Sequence, residues 1–476
     1  MNTDDASIDL SPPQTRKRSW LRMLGMVLAA IGLLAIAAYY TFQMQAKAAL
    51  AAEVQRTAGQ PLTTDELEQW HRVPAGTKDL TSAWRQALAP CSTREFSQGS
   101  RDLPVLGIAK VPPISEPLPE ELRAQMEAFI EQHRATLDQI YAVAEQSGEV
   151  RFSRNFRRVF DFSDTPQQTR AGLRFLTMEF ELLAREPDFE PAFRNLKARL
   201  AIAETLANEP DGISMLIRVA IFGVVLSDVQ RLAAHHAYTD DELARLQALI
   251  RAFDPHPQLA LAALGERARI YQIYHTKGRF PGDDEDILAM ADKIPSEDIV
   301  TSRDLRGIFR PRDAALGLAA LNDVYEATQQ PLPQAIHAIA DIEEEIETFL
   351  TAHPFRTRLL YPASRTTAPE LVSMLESSMF AEARAVATRN MTLVSLGLRR
   401  YRLKHKKLPA TLDELVPDFL AAAPTDPYDG QPVRYLPQAD SALLYCLGND
   451  LIDNGGETDE HLLKPDLAEK VTWPAE

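Results

Sequence analysis

The stretch MTLVSLGLRRYRLKHKKLPATLDEL, residues 391–415, marks where the long helical part of the chain ends. Its apolar residues recur at steps of three and four, which predicts one helix with a single packing face. That face comprises Met391, Val394, Leu398 and Tyr401. Pro409 then ends the helical region, because proline lacks a backbone N–H donor. The stretch therefore predicts a helical domain before it and a smaller unit after it.

Residues 116–395 carry the pattern of an α-helical domain. Apolar residues return at helical spacing from Glu120, and capping boxes and proline-bearing breaks separate the later helices. We place these helices at about 166–185, 189–207, 212–236, 240–253, 257–276, 332–352 and 369–406. Short connections favour antiparallel neighbours. The fold class is therefore mainly α, with an antiparallel α-helical domain at its centre.

Residues 396–476 predict a small α+β module. A capping-box pattern at Thr411 starts a short helix, and turn-forming pairs at Asp426-Pro427 and Asp429-Gly430 follow it. The runs 433–436 and 443–447 then read as the two strands of a short β-hairpin. An acidic, glycine-rich loop begins at Gly448.

The bulk composition excludes one class of function. The chain has 476 residues, of which 45% are hydrophobic, so a folded protein of at least two domains is expected. Its formal net charge is -16. A nucleic-acid-binding protein needs a basic face to displace counterions, so we expect no nucleic acid partner.

The N-terminal segment predicts a membrane anchor. No charged side chain occurs from Met23 to Ala46, and the basic residues Arg16, Lys17, Arg18 and Arg22 stand before it. This asymmetry puts residues 1–22 in the cytoplasm, a transmembrane helix at 23–43 and the rest outside the inner membrane. A cleaved signal peptide with its site near Ala46 is the alternative. The long apolar core, distant from that site, favours an uncleaved signal-anchor.

Two further segments, a linker and an apolar run, lie after the predicted anchor. Residues 44–115 read as a linker with short helices, because prolines follow one another from Pro104 to Pro119. The run from Ser214 to Val229 is apolar but carries Arg218 and Asp228. It therefore predicts a buried core helix and not a second membrane span.

No established catalytic motif is present, and we name no catalytic residue. HExxH, GxSxG and P-loop patterns are all missing from the sequence. Glu266 and Arg267 interrupt an apolar helix, so they form either a buried pair that satisfies itself or a substrate-binding pair. Cys91 and Cys446 show no CxxC spacing, and we expect both thiols to remain free.

The acidic loop LGNDLIDNGGE, residues 447–457, has the side chains of a calcium site. Calcium takes six to eight oxygen ligands on a flexible backbone. The candidate metal ligands are Asp450, Asp453, Glu457 and Asp459, with amide oxygens from Asn449 and Asn454. The spacing is not that of an EF-hand. A solvated turn of Asn, Asp and Gly residues is the alternative.

The tail also resembles a known family. The segments YRLKHKKLPATLDELV, PTDPYDGQPVRY and LYCLGNDLIDNGG, within about 390–460, resemble in order the C-terminal part of type II secretion major pseudopilins. The resemblance implies that the last strand runs into a calcium-binding loop. It maps best onto Asp450, with Glu457 preferred over Asp459 as a second acid. The N-terminal apolar helix lacks the glutamate that pseudopilins carry near its start, so a pilus subunit is not expected.

These observations lead to two functional hypotheses. The overall layout resembles uncharacterised bacterial single-pass membrane proteins. The first hypothesis is a membrane-anchored extracytoplasmic structural or protein-interaction protein of the bacterial envelope, with an envelope protein partner and a link to secretion or pilus-type assembly. The alternative is an envelope hydrolase with a site in a helical-domain cleft near Glu266. An exposed apolar surface would favour the first, and a polar-lined pocket the second.

Overall fold

Helices make up most of the chain in the computed structural model, which describes residues 15–154, 156, 165–255, 257–275, 306–352, 354, 357, 361, 364–457 and 466–473. Fourteen α-helices occur within these residues. They are α1 (Thr15–Arg56), α2 (Thr64–Trp70), α3 (Thr81–Leu88), α4 (Arg94–Gly99), α5 (Glu120–Gln132), α6 (Arg134–Ala144), α7 (Thr165–Leu183), α8 (Phe189–Glu204), α9 (Gly212–His235), α10 (Asp240–Ala252), α11 (Pro257–His275), α12 (Arg306–Ala327), α13 (Leu332–Ala352) and α14 (Ser364–His405). The predicted mainly α fold class is confirmed.

Helix α14 is the central element of the packing. It has 42 residues, which corresponds to a length of roughly 63 Å at 1.5 Å per residue. It packs against α9, α10, α11, α12 and α13, and its C-terminal part carries the strands. The predicted packing face is buried, with Val394 and Leu398 both 0% exposed. The helix therefore joins nearly every layer of the molecule to one hydrophobic core.

The N-terminal helix is longer than predicted. Helix α1 continues to Arg56, so residues 44–56 are helical where we expected a linker. The sequence QAKAALAAEVQR, residues 45–56, is rich in strong helix formers, which explains the continuation. Apart from Gly32, residues 22–41 are exposed, whereas Ala46 is buried. One end of α1 is thus long and apolar enough to span a membrane, and the other end belongs to the folded domain.

The buried end of α1 docks onto α12 through polar contacts. Arg56 lies 2.6 Å from Asp323, and it also contacts Glu326 at 2.8 Å. Asn322, which is 1% exposed, donates its amide to the backbone oxygen of Glu53 at 3.1 Å and to the Glu53 carboxylate at 3.0 Å. The last turn of a helix leaves carbonyl groups without helical partners, and Asn322 satisfies one of them.

Helices α1 and α12 run in the same direction. Arg312 lies over the ring of Phe42 near one end of the contact, and Arg56 meets Asp323 at the other end. The sequence analysis predicted no helix in the range of α12. This helix contains Pro311 within its early turns, and a proline normally indicates a helix break.

Helix α9 confirms the predicted core helix between Ser214 and Val229. Most of it is buried, and the two charged residues of that run are paired, Asp228 with Arg199 at 2.7 Å and Arg218 with Glu204 at 3.0 Å. One stripe of α9 nevertheless remains exposed. Because that stripe is apolar, it becomes important for the functional site.

The C-terminal module contains three strands where two were predicted. Strands β1 (Arg434–Pro437) and β2 (Ala442–Cys446) form the expected hairpin, and β3 (Leu467–Val471) pairs antiparallel with β2. The sheet order is β1-β2-β3. The acidic loop therefore connects two strands. We placed the boundary between the helical domain and this module at residues 395–396. Helix α14 continues through these residues without a break, and the hydrophobic core is continuous there.

We predict that Asn322→Leu loosens the docking of α1. The substitution removes the amide that holds Glu53, and it removes the oxygen that accepts from buried Arg267 at 3.2 Å. Leaving such a group unsatisfied costs about 1–3 kcal/mol of unfolding free energy. Denaturant unfolding of the full chain in detergent micelles measures this cost. The control Gln334→Leu, at an exposed position, should change it by less than about 0.5 kcal/mol. Equal effects of both variants would contradict the assigned role.

Candidate functional site

The C-terminal sheet is fixed to the helices by a polar contact. Gln230 of α9 donates its side-chain amide to the hydroxyl of Thr392 in α14 at 2.9 Å and to the carboxylate of Glu469 in β3 at 2.7 Å. At the other end of β3, the guanidinium of Arg402 lies 4.6 Å from the centre of the Trp473 ring. The acidic loop between β2 and β3 is therefore held in a defined place beside α9 and α14.

Asp426 organises the turn that precedes the sheet. Its side chain is fully buried, and it accepts hydrogen bonds from the backbone N–H groups of Tyr428 at 2.9 Å and Leu447 at 2.8 Å. Arg434 donates to the same carboxylate at 2.5 Å. Because Leu447 directly follows β2, this one carboxylate ties the Asp-Pro turn to the start of the acidic loop.

Arg434 holds the acidic residues around β1 together. Besides Asp426, its guanidinium contacts Asp429 at 2.7 Å and Asp453 at 3.0 Å. The N–H of Gly455 also donates to Asp453, at 2.9 Å. This N–H and the nearby guanidinium both lower the pKa of the Asp453 carboxyl, because they favour its charged form. Asp453, a predicted calcium ligand, is thus already balanced by a protein cation.

The three predicted metal ligands that the structure describes do not form one cluster. Asp450 accepts from the N–H of Ile452 at 3.1 Å and faces a cleft, whereas Asp453 faces Arg434. Glu457 is exposed at the end of the described loop, and Asp459 lies outside the described residues. Among the residues that the structure describes, no three Asp, Glu, His or Cys side chains are grouped to share a metal ion. Calcium binding by this loop stays a prediction.

Asp466 is a loop residue that the sequence analysis missed. It is 2% exposed, and one of its carboxylate oxygens accepts from the N–H groups of Asn454 and Gly456, both at 2.9 Å. Its other oxygen is buried and has no hydrogen-bond partner among the residues that the structure describes. Asp466 stands immediately before β3, so only recognition of the third strand would have directed attention to it.

A cleft lies between α9, α13, α14 and the start of the acidic loop. Its volume is about 920 Å³. The lining is mainly apolar and includes Leu216, Ala220 and Gly223 of α9, Ile336 of α13 and Phe380 of α14. A Cβ atom added at Gly223 would meet no atom within 4 Å. The cleft therefore leaves part of the most apolar helix of the domain open.

Polar and charged side chains also line this cleft. They include His337 of α13, Glu376, Ser377 and Arg384 of α14, and Asp450 of the loop. Arg384 is exposed and forms no ion pair with any described residue. In the described cleft no hydrogen bond joins Ser377 to His337, so these two residues do not form a nucleophile–base pair. The cleft therefore combines a mainly apolar lining with a few charged side chains.

Glu266 and Arg267 do not form the expected pair. Glu266 is paired with Arg269 at 2.5 Å, and burial raises the pKa of its carboxyl. Arg267 instead donates to Asn322 of α12 and to Gln60 beyond α1, at 3.2 and 2.6 Å. Burial lowers the pKa of Arg267 to about 10. Neither residue lines the cleft, and Arg267 serves to join α11 to the docked end of the anchor.

The two cysteines are free thiols. Both Cys91 and Cys446 are buried. Burial raises the pKa of the Cys91 thiol to about 12 and also raises that of Cys446. Both therefore stay protonated near neutral pH, which makes them unreactive core residues.

We predict that Asp453 stabilises the loop in a pH-dependent way. Its pKa is lowered in the folded state, so its contribution is present above the ordinary carboxyl pKa of about 3.9 and is lost as pH falls through the folded value. Asp453→Asn should cost less than about 1 kcal/mol at neutral pH, because the side chain is 48% exposed. The difference from wild type should shrink below about pH 4.

Thermal unfolding at several pH values measures this difference. The matched control is Asp440→Asn, at an exposed position in the turn between β1 and β2. It should match wild type throughout. A deficit of Asp453→Asn that stays constant with pH would show that the charge of Asp453 does not stabilise the loop.

The resemblance to pseudopilins implied that the last strand runs into the acidic loop, whereas here the loop lies between β2 and β3. No protein-family model, curated protein or solved structure matches the chain.

Proposed function

We propose that the chain is a single-pass inner-membrane protein of the bacterial envelope whose exported part binds another protein. In this proposal residues 1–22 are cytoplasmic, α1 crosses the membrane, and the remaining helices and the sheet lie in the periplasm. The exposed apolar surface of α1 and the basic residues before it support this topology. The docking of Arg56 on α12 would give the exported part a fixed orientation relative to the anchor.

One observation carries the interaction role. The exposed stripe of α9 contains Ile213, Leu216 and Val224, which are 51%, 38% and 39% exposed. The stripe carries no charged side chain and borders the cleft. Large apolar side chains that remain together at the surface of a soluble domain usually mark a binding surface.

The alternative role as an envelope hydrolase has less support. Glu266, on which it was based, is ion-paired and does not line the cleft. The cleft itself has an apolar floor and no nucleophile–base pair among its described residues. A link to secretion or pilus-type assembly is supported only by the resemblance of the tail, and it forms part of the proposal on that ground.

The test of the proposed function is site-specific crosslinking in intact cells. A photo-crosslinking amino acid at Leu216, inside the cleft, should capture a discrete partner protein. The same amino acid at Ala142, an exposed position on α6, should not. Capture at Ala142 alone, or identical products at both positions, would refute the cleft as the interaction site.

We also propose that the acidic loop binds calcium. The unpartnered, buried oxygen of Asp466 and the carboxylate of Asp450 support this, together with the pseudopilin resemblance. Asp453, Glu457 and Asp459 would complete the ligands by rearranging around the ion. Ligands that bind only the folded state stabilise it, by about 2.7 kcal/mol at a hundredfold excess over Kd.

Calcium should therefore raise the melting temperature of the full chain. Asp450→Ala and Asp466→Ala should both lose this response, whereas Asp440→Ala should keep it. Identical melting curves in calcium and in chelator would leave the loop as a hydrogen-bonded turn.

A further inference from the structure

The exposed stripe of α9 has the geometry of one face of a helix–helix contact. Ile213, Leu216, Ala220 and Val224 follow one another at steps of three and four, so they lie on one side of α9. From Ile213 to Val224 the stripe extends roughly 16 Å along the helix axis. This is about the length of three helical turns, the size of a short helical segment.

Several of the residues that line the cleft are small. They include Ala220 and Gly223 of α9, Ala340 of α13 and Ala381 of α14. The distance between packed helices depends on the side chains at their contact. Because these four residues have no atom beyond Cβ, a helix placed between α9, α13 and α14 could approach closely.

The rim of the cleft is mostly acidic. Glu376 and Asp450 line it directly. Glu344 and Glu347 continue the face of α13 that starts at His337, and both are exposed without an ion pair to any described residue. Arg384 is the one basic side chain lining the described cleft, apart from the histidine. The rim therefore favours a partner with positive charges beside its apolar face.

We infer that the cleft binds one amphipathic α-helix of a partner protein, apolar on the inserted face and carrying Lys or Arg on its flanks. The inference rests on the proposed interaction function and specifies the class of partner. A second copy of this chain is a poorer occupant. Two copies facing each other through this cleft would bring their acidic rims together, and like charges at an interface oppose association.

The experiment uses the full chain in zwitterionic nanodiscs and two fluorescent helical peptides. The peptides have repeating LKKLLKL and LEELLEL units, so that they differ only in the sign of charge. Anisotropy is corrected for binding to empty nanodiscs. We expect the Lys peptide to bind at least about tenfold more tightly than the Glu peptide.

Variants of the cleft locate the binding. Ala220→Trp and Gly223→Leu fill the cleft without changing charge. Each should weaken binding of the Lys peptide by about tenfold or more. Ala142→Trp, outside the cleft, should leave affinity unchanged. Glu344→Gln with Glu347→Gln should weaken binding and reduce its dependence on salt.

Several results would overturn the inference. These are equal affinity for both peptides, no binding beyond that of empty nanodiscs, or no effect of the filled-cleft variants. Self-association of the chain that Ala220→Trp abolishes would identify a second copy as the occupant. Crosslinking at Leu216 without binding of the Lys peptide would keep the proposed function and reject only this class of partner. If Leu216 captures no partner and the Lys peptide does not bind, the proposed function and this class of partner are both rejected.

Discussion

The architecture depends on the unbroken helix α14. Its backbone continues from Ser364 to His405, and five other helices and the C-terminal strands pack on it. Since the helix satisfies its own backbone hydrogen bonds, its side chains are free to serve different neighbours at each level. Met391 and Val394 bury one face in the core. The same helix lines one wall of the cleft through Phe380 and Arg384.

The anchor and the domain form a second continuous unit. Asn322 is hydrogen-bonded on one side to Glu53 of α1 and on the other to Arg267 of α11. Breaking this bridge would expose polar groups that are satisfied only in the docked arrangement. A membrane helix is often pictured as a flexible tether. In this chain the last turns of α1 are part of the folded domain, and this limits how the domain can tilt relative to the apolar part of α1.

Local pattern and long-range pairing explain what the sequence could predict. The packing face that includes Leu398 was predicted because its period is contained in one helix. Helix α12 was missed, because Pro311 suggests a break and its partner α1 is distant in sequence. Strand β3 was missed, and with it the role of Asp466. Glu266 and Arg267 were expected to form one pair, but each of them is bonded to a different residue in the folded chain. The cleft is formed by four separate segments of the chain, so no single stretch of sequence predicts it.

The length of α14 determines how far the C-terminal sheet lies from the point where α1 contacts the domain. Its start lies close to Tyr361, which accepts a hydrogen bond from Arg312 at 2.9 Å, and Arg312 lies over Phe42 where the anchor enters the domain. The sheet packs on α14 near Thr392, roughly 40 Å from that start along the helix axis, and the acidic loop lies beside Arg384, roughly 30 Å from it. In the proposed topology α14 acts as a rigid spacer. A partner in the same membrane would then need an exported segment of its own to reach the sheet.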